Sequence, residues 1–291
     1  MERHAYLIIA HTNWEQLQKL VSLLDDERND IYIHIDKKVN IEGLKLHAEK
    51  STICFVDRVD IRWGTSSQIE VELSLFGVAV SMGYSYYHLI SGFDLPLKNQ
   101  DYIHSFFSQN QGKEFIGFGR EDWDVTQRVY CHNLLGRQMR NPNLLIRYIC
   151  KSIRMLGNRL QIMFHIYPHK RKDCVYRYGC NWVSVTHRFA EDLVKHKDHF
   201  LEQYKFSYCP DEIYKQTFAF NSEYKNHIYD LTDEFRGCMR EIDWTRGRPY
   251  VFMESDYDML IHSDKLFARK FDQRKDERII DKLINHIKYG R

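Results

Sequence analysis

Short apolar runs alternate with amphipathic segments over the first 120 residues, and this alternation constrains the fold more than any other feature of the sequence. Five runs have the length and composition of buried strands: AYLIIA, DIYIHID, STICFV, YYHLIS and KEFIGF. Helical spacing of apolar residues predicts one helix from Trp14 to Leu24 and another over residues 66–82, capped by Ser66 or Ser67. Strands and helices in turn predict an α/β fold, a mostly parallel central sheet with flanking helices.

Polar clusters follow four of the predicted strands, at the edge where parallel sheets bind ligands. Taken singly, each polar residue is explained as a turn or a cap. Four clusters on one edge, however, indicate a ligand site. The clusters are His11-Thr12-Asn13, His34-Ile35-Asp36, Trp63-Gly64 and Ser91-Gly92-Phe93-Asp94.

The composition is that of a globular protein, with 43% apolar and 14% aromatic residues. Lys and Arg number 42 against 40 Asp and Glu, a balance that argues against a surface made to coat nucleic acid. The seven cysteines show neither CxxC nor Cys/His ligand spacing and predict free thiols in a reducing compartment. No apolar run reaches membrane-spanning length, so we predict a single cytosolic domain over residues 1–291.

Residues 125–172 form a basic insertion in that domain, because they contain ten Lys and Arg residues and no Asp or Glu. Within them, NLLIRYICKSIRMLGNRLQIMF places apolar residues at helical spacing, so that one helix would show an apolar and a basic face. Two interpretations stay open: a buried helix with a solvated basic edge, or a surface helix lying on anionic lipid or glycolipid. Nucleic acid is a weaker third interpretation, since no nucleic-acid-binding motif accompanies the charge.

Two adjacent acids, Asp211 and Glu212, stand in the stretch YCPDEIYKQT. Proline followed by acids is typical of the first turn of a helix, which explains the tripeptide structurally. The aromatic and aliphatic residues that follow would also give a glutamate the apolar surroundings of a general base. The sequence by itself leaves both interpretations open.

Two basic pairs are candidate anion-binding groups: Arg269 and Lys270 in LFARKFD, and Arg246 and Arg248 on either side of Gly247. Solvated surface charge is the simpler explanation. Two such pairs, close in sequence, could also clamp a diphosphate.

The tripeptide Asp-x-Asp, which holds a divalent cation in many nucleotide-sugar enzymes, occurs twice. Asp256 begins a predicted helix, where a cap is the favoured interpretation. Asp122 and Asp124 follow the fifth predicted strand and stay open as a cation site.

The chain resembles the core 2/I-branching β-1,6-N-acetylglucosaminyltransferases and their peptide O-xylosyltransferase relatives, glycosyltransferase family 14, from about residue 4 to residue 272. Eight motifs occur in the order found in that family: AYLIIAHTN, IYIHIDKK, VDIRWGTSSQIE, YYHLISGFDLPLKN, GCNWVSVT, CPDEIYKQT, EIDW and LFARKFD. The resemblance implies a GT-A-like, Rossmann-like nucleotide-sugar-binding fold. It also implies inverting transfer from a UDP-sugar without a bound metal, because a Lys/Arg pair stabilises the leaving diphosphate.

Carried over position by position, the resemblance implies that Glu212 is the general base and Lys270 the diphosphate lysine. The partner arginine falls next to Gly247, where Arg248 is favoured over Arg246. The resemblance further assigns the uridine pocket to Ala10, His11, Asp36 and Trp63, and the acceptor-binding surface to Trp244, to Glu121 or Asp122, and to Asp94.

We therefore predict an inverting transferase that needs neither metal nor other cofactor. UDP-GlcNAc is the default donor, UDP-xylose, UDP-glucose and UDP-galactose stay open, and the acceptor is a glycan or lipid-linked glycan.

Animal members have a membrane-anchored stem and a disulfide framework, whereas this chain has scattered thiols and begins close to its first strand. We thus expect a bacterial, cytoplasmic enzyme on the inner face of the membrane, acting in surface polysaccharide assembly. The alternatives are a metal-dependent transferase using Asp122 and Asp124, and a non-catalytic glycan-binding or assembly protein of the same fold.

Overall fold

The chain folds around a five-stranded central sheet and a smaller three-stranded sheet. The computed structural model describes residues 2–290. Within them the strands are β1 (His4–Ala10), β2 (Asn29–Ile35), β3 (Thr52–Phe55), β4 (Tyr86–Ser91), β5 (Asp94–Pro96), β6 (Ser184–Thr186), β7 (Arg240–Ile242) and β8 (Phe267–Arg269).

The central sheet has the strand order β3-β2-β1-β4-β6. The first four strands of that order are parallel, and β6 runs antiparallel to β4. The register pairs Ala10 with Ile35 and Ile9 with Ser91, so β1, β2 and β4 end at the same edge. This arrangement confirms the predicted mostly parallel α/β architecture.

The small sheet has the strand order β5-β8-β7, and its first strand, β5, follows β4 directly in the chain. Strand β8 pairs antiparallel with β5, with Asp94 opposite Arg269, and parallel with β7. The end of β8 is thereby held beside the residues that follow β4. This pairing is what brings the motif LFARKFD to the ligand-binding edge of the central sheet.

Helices cover both faces of the central sheet. In chain order they are α1 (Trp14–Leu24), α2 (Ser67–Val80), α3 (Gln100–Gln109), α4 (Leu144–Met163), α5 (His187–Lys195), α6 (Lys197–Gln203), α7 (Tyr214–Phe220), α8 (Glu234–Cys238), α9 (Tyr257–His262) and α10 (Arg278–Tyr289). Short 3₁₀ turns include Pro210–Glu212 and Glu254–Asp256, and Thr126–Tyr130 forms a π-helical turn. No helix within the described residues is long and apolar enough to cross a bilayer.

Strand β1 divides the core into two layers, because successive side chains of a strand point to opposite faces. Leu7 packs in the layer that includes α2 and α5, whereas Tyr6 and Ile8 pack in the layer that includes α1 and α10. Every residue of β1 is buried, which explains its continuous apolar run.

Two local predictions differ from the structure. The run KEFIGF was predicted as a strand but makes only two isolated bridges, from Glu114 and Phe115. The Glu114 carboxylate accepts a hydrogen bond from the Thr186 N–H at 2.9 Å. In a continued strand pair, this N–H would instead donate to a backbone carbonyl. Ser66 does occupy the position before α2, but its side chain makes no capping hydrogen bond.

Candidate active site

The predicted nucleotide-binding residues lie at the shared carboxyl edge of β1 and β2. The Asp36 N–H donates to the Ala10 carbonyl at 3.0 Å, and Ala10 itself is only 1% exposed, so it forms the floor of this edge. Burial lowers the pKa of His11, which also lies within electrostatic reach of Asp36 and Lys270. The structure therefore brings His11, Asp36 and Lys270 near one another.

The loop that carries Trp63 joins this edge to the turn that carries Glu212. On one side, the Lys38 ammonium bonds the carboxylates of Asp36 at 2.8 Å and Asp60 at 2.9 Å. On the other side, the Gly64 carbonyl accepts the Cys209 N–H at 3.0 Å. Gly64 has φ +78° and a side chain there would lie 3.0 Å from Tyr208, so glycine allows the close approach.

Glu212 ends the 3₁₀ turn Pro210–Glu212, immediately before α7. Its side chain is 35% exposed, and its Oε2 lies 2.6 Å from Nη1 of Arg128. The Arg128 guanidinium in turn stacks on the Trp123 ring at 4.4 Å. The prediction of apolar surroundings for Glu212 is therefore wrong. The carboxylate faces Arg128 of the acid-free segment and remains accessible to solvent.

Asp211 has different surroundings from its neighbour. Burial raises the pKa of its carboxyl group to about 8, and the nearby carboxylates of Glu212 and Glu72 act in the same direction. The Lys215 ammonium bonds Glu72 at 2.5 Å and the Asp211 carbonyl at 3.1 Å, with both side chains of the ion pair fully buried. Desolvation and the two neighbouring carboxylates thus favour the protonated form of Asp211.

Each of the two basic pairs has one member held by carboxylates. Arg269 bonds Asp94 at 2.7 Å, and Arg246 bonds Asp243 at 2.5 Å and Asp256 at 2.6 Å. Their partners, Lys270 and Arg248, make no ion pair among the described residues. The fold therefore leaves one lysine and one arginine available for an anionic ligand.

Lys270 and the segment of Arg248 are neighbours in the fold. The Lys270 carbonyl accepts the N–H of Phe252, four residues after Arg248, at 2.9 Å. The Lys270 ammonium lies 4.2 Å from the centre of the Phe93 ring, and burial lowers its pKa. A phosphate group beside it would favour the charged form.

Asp94 does not fit the acceptor-binding role predicted for it. It is 1% exposed, and its carboxylate accepts the Ser91 N–H at 2.9 Å and the Ser91 hydroxyl at 2.8 Å in addition to Arg269. With its oxygens used in this way, Asp94 fixes Arg269 and the end of β8.

The other acceptor-binding candidates are exposed. Trp244 is 52% exposed directly after β7, in a turn held by the Asp243 carboxylate, which accepts the Thr245 N–H at 2.7 Å. Glu121 is 83% exposed and pairs with the buried Arg177 at 2.6 Å, whereas Asp122 pairs with an exposed arginine, Arg120. Of the two alternatives after the fifth predicted strand, Glu121 is the one that is paired with a buried residue.

The Asp122-Trp123-Asp124 tripeptide, the candidate cation site, is engaged within the protein. Asp122 bonds Arg120 at 2.6 Å, and the Asp124 carboxylate accepts the Thr126 N–H at 2.8 Å and begins the π-helical turn. No group of three or more His, Cys, Asp and Glu side chains suited to a metal ion occurs within residues 2–290.

Three residues of this region were missed by sequence reasoning as parts of the site. Arg128 contacts Glu212, Trp182 lies under the Arg269 guanidinium at 4.5 Å, and Glu234 has its pKa raised to about 7 by burial and by the charge of Glu212. The segment of Trp182 also connects the two halves of the site, since the Gly179 N–H donates to the Glu212 carbonyl at 2.9 Å. Trp182 lies within the motif GCNWVSVT, so a signal existed for it.

Comparison with known proteins finds one family. A model of the family described as Core-2/I-Branching enzyme matches residues 4–258. Xylosyltransferase 2 of Rattus norvegicus is 25% identical over 315 residues, which cover 99% of this chain and 34% of that protein. Human xylosyltransferase 2 is 24% identical over 318 residues, which cover 99% of this chain and 34% of that protein. Human xylosyltransferase 1 is 22% identical over 317 residues, which cover 99% of this chain and 30% of that protein. The chain thus spans about a third of the length of these curated relatives.

Proposed function

Because the chain belongs to the Core-2/I-Branching enzyme family, we propose that it transfers a sugar from a UDP-sugar to a hydroxyl group of a glycan acceptor. The names of its xylosyltransferase relatives support the same reaction class. One observation carries the proposal furthest: Lys270 and Arg248, which have no carboxylate partner within residues 2–290, lie on neighbouring segments, and Lys270 is within electrostatic reach of His11 of the predicted uridine pocket.

The diphosphate of the donor binds between Lys270 and Arg248. Fixed cations aimed at the leaving group stabilise the negative charge that develops on UDP as the glycosidic bond breaks. Such a pair replaces a divalent metal, and the carboxylates of Asp122 and Asp124, which would serve a metal-dependent enzyme, are already bonded within the protein. These contacts support metal-independent transfer.

Glu212 is the general base of the proposed reaction. It takes the proton from the acceptor hydroxyl while that oxygen forms a bond to the anomeric carbon, and the bond from that carbon to UDP breaks on the opposite face. Attack opposite the leaving group inverts the anomeric centre, giving a β-linkage from an α-linked donor. The contact with Arg128 fixes the carboxylate, since a charge-assisted bond of 2.6 Å restricts the rotation of a flexible glutamate.

The acceptor glycan binds on the side of Trp244 and Glu121. An exposed indole offers a flat apolar surface to the C–H face of a sugar ring, and a carboxylate accepts hydrogen bonds from sugar hydroxyls. Both residues are held by neighbours, Trp244 through the Asp243 turn and Glu121 through Arg177.

Two donors come first for testing. The family resemblance favours UDP-GlcNAc, and the names of the relatives favour UDP-xylose. A thermal-shift panel of UDP, UDP-GlcNAc, UDP-xylose, UDP-glucose and UDP-galactose identifies the donor, because a ligand at about 100 times its Kd stabilises the native state by about 2.7 kcal/mol. The true donor should raise Tm at least as far as UDP does.

The reaction itself is tested by UDP release with glycan acceptors, with and without excess EDTA. We expect the rate to be unchanged by EDTA. Full inhibition by EDTA that Mn²⁺ reverses would instead favour the metal-dependent alternative at Asp122 and Asp124. UDP binding without UDP release, with every donor and acceptor tried, would favour the non-catalytic glycan-binding alternative.

A further inference from the structure

We propose that α4 docks the protein on an anionic lipid bilayer, with the apolar face of the helix immersed among the lipids. The helix runs from Leu144 to Met163, and most of its large apolar side chains point away from the protein. The large apolar side chains of residues 144–164 that are at least half exposed include Leu145 (68%), Tyr148 (63%), Ile149 (50%), Leu156 (59%), Met163 (60%) and Phe164 (64%). An apolar surface of this kind is unusual on a soluble domain unless something covers it.

The side of α4 that packs on the protein is polar. Asn158, which is 3% exposed, donates to the carbonyl of Gln127 and to the Asn133 side chain. One turn further on, the Gln161 side chain accepts the His132 N–H at 2.7 Å. An ordinary amphipathic helix buries its apolar side and leaves its polar side in water. Here the orientation is reversed, so the helix is built to meet a second apolar phase.

The charge around α4 selects an anionic lipid surface as that phase. Lys151 and Arg159 are exposed on the helix, and Lys172 is exposed beyond it; none of the three bonds a carboxylate among the described residues. The whole segment 125–172 lacks acids. Two copies of α4 packed together would bring these cations near one another without counter-charges, whereas lipid phosphates supply them. Basic residues beside an apolar helix face are typical of helices that lie in the membrane interface.

The docked helix lies next to the proposed active site. The Arg154 guanidinium of α4 stacks on the Tyr208 ring at 4.0 Å, two residues before Pro210, and Arg140 stacks on Trp63 at 3.9 Å. A bilayer under α4 therefore lies close to the turn of Glu212. This part of the inference rests on the proposed function, for which it favours a glycan acceptor that is itself attached to a lipid.

Co-sedimentation of the full chain with vesicles tests the docking. We expect binding to vesicles of 70% phosphatidylcholine and 30% phosphatidylglycerol at low salt, much weaker binding to pure phosphatidylcholine, and loss of most binding at high salt. The variant L145S/L156S/F164S removes apolar contacts and should bind at least 10-fold more weakly. The variant K151Q/R159Q should bind the anionic vesicles about 30-fold more weakly, since each basic residue near such a surface contributes about fivefold.

The control variant V78S/M82S changes two exposed apolar residues at the end of α2, outside the basic segment, and should bind as the unchanged protein does. Absence of binding to anionic vesicles, or equal binding by all variants, would overturn the proposal. A dimer in sedimentation velocity that only L145S/L156S/F164S dissociates would also overturn it, in favour of a second copy as the occupant. The UDP thermal shift should stay unchanged in every variant, so a failure of vesicle binding is distinct from a failure of the proposed sugar transfer.

Discussion

Glu212 and Asp211 are adjacent carboxyl groups that the fold places in different surroundings. Glu212 is bonded to Arg128 and reachable from solvent, whereas burial and the neighbouring carboxylates raise the pKa of Asp211 to about 8. A base needs an accessible, ionised carboxylate, and a carboxyl group whose raised pKa favours the protonated form supplies one less readily. The chemistry of the pair is thus decided largely by residues far away in the sequence, Arg128 beside Glu212 and Glu72 near Asp211.

The substitutions Glu212→Gln and Asp211→Asn should therefore have opposite outcomes. Glu212→Gln removes the proposed base and should lower kcat by roughly 10²–10⁴, while the UDP thermal shift persists. Asp211→Asn resembles the protonated acid in shape and hydrogen bonding, so it serves as the matched control with nearly unchanged kcat and Tm. UDP-release kinetics measure both. Turnover near the unchanged rate in Glu212→Gln would remove Glu212 from the mechanism.

Arg248 and Arg246, on either side of Gly247, provide a second pair of residues with different roles. Arg248→Ala should weaken UDP binding by about 10-fold or more, the loss expected for a charged hydrogen bond, and leave the Tm of the free protein unchanged. Arg246→Ala leaves Asp243 and the buried Asp256 without their partner, so it should lower that Tm and affect UDP affinity less. Calorimetric titration with UDP and thermal melts separate the two effects. The reverse pattern would assign the diphosphate to Arg246.

At the scale of elements, a buried ion pair holds the turn of Glu212 against α2. Glu72 of α2 and Lys215 of α7 are both fully buried, and the Tyr214 hydroxyl donates to Glu72 at 2.9 Å. Lys215 also bonds the Asn181 side chain at 2.7 Å, in the segment that connects to Trp182. One ammonium group therefore fixes three segments of the site relative to one another.

Loss of this ammonium group should be costly. Lys215→Met leaves the Glu72 carboxylate buried without its counter-charge and should lower the free energy of unfolding by about 3–5 kcal/mol, measured by urea titration. The double variant Glu72→Gln with Lys215→Met removes both charges and should recover a large part of that loss. If the double variant were as unstable as the sum of its two single variants, charge pairing would not be the source of the effect.

The elements that the sequence predicted well are those whose signal is local. Strands β1, β2 and β4 are buried on both faces, so their apolar runs are continuous and readable. The KEFIGF run also has an apolar centre, yet within residues 2–290 it makes only isolated bridges, and the side chain of Glu114 takes a ladder donor from Thr186. Composition carries no information about such a contact between residues 72 positions apart.

The site shows the same division. The motifs predicted which residues gather at the sheet edge, and His11, Asp36 and Lys270 do lie together. They did not reveal that Arg128 reaches Glu212 across 84 positions. They favoured Arg248 over Arg246, but they did not reveal that the carboxylates of Asp243 and Asp256 hold Arg246.

At the scale of the whole molecule, four histidines are buried in or beside the central sheet: His4, His34, His88 and His104. Burial lowers the pKa of each, to about 4 for His34 and His104 and well below the ordinary value for His4 and His88. The rings interact as neutral groups, with His4 Nδ1 3.1 Å from His88 Nε2 and His104 stacked on His4 at 4.0 Å. Protonation of this cluster opposes folding.

The pH dependence has opposing contributions. Between pH 6.5 and about 4 the unfolded chain binds protons at these histidines that the native state does not, so they make stability fall as the pH falls. Three carboxyl groups act in the opposite direction, because burial raises the pKa of Glu114 and Glu234 to about 7 and of Asp211 to about 8. As the pH falls, the native state therefore binds protons at these three carboxyl groups at a higher pH than the unfolded chain does. The change of the free energy of unfolding with pH is therefore a difference between the histidine and carboxyl contributions. A variant of a single residue isolates one of these contributions.

His104→Gln is that variant, because glutamine keeps a donor for the Asn29 side chain, which now lies 2.9 Å from Nε2 of His104, and carries no titrating group. From about pH 7.5 to about pH 5, His104 alone should reduce the free energy of unfolding by about 2 kcal/mol, since its pKa moves from the ordinary 6.5 to about 4 on folding. Relative to the unchanged protein, His104→Gln should thus gain about 2 kcal/mol over this interval, measured by urea titration at each pH. Because the three carboxyl groups titrate in both proteins, their contribution cancels in the comparison. Parallel stability curves for the two proteins would mean that His104 accepts a proton as readily in the native state as in the unfolded chain.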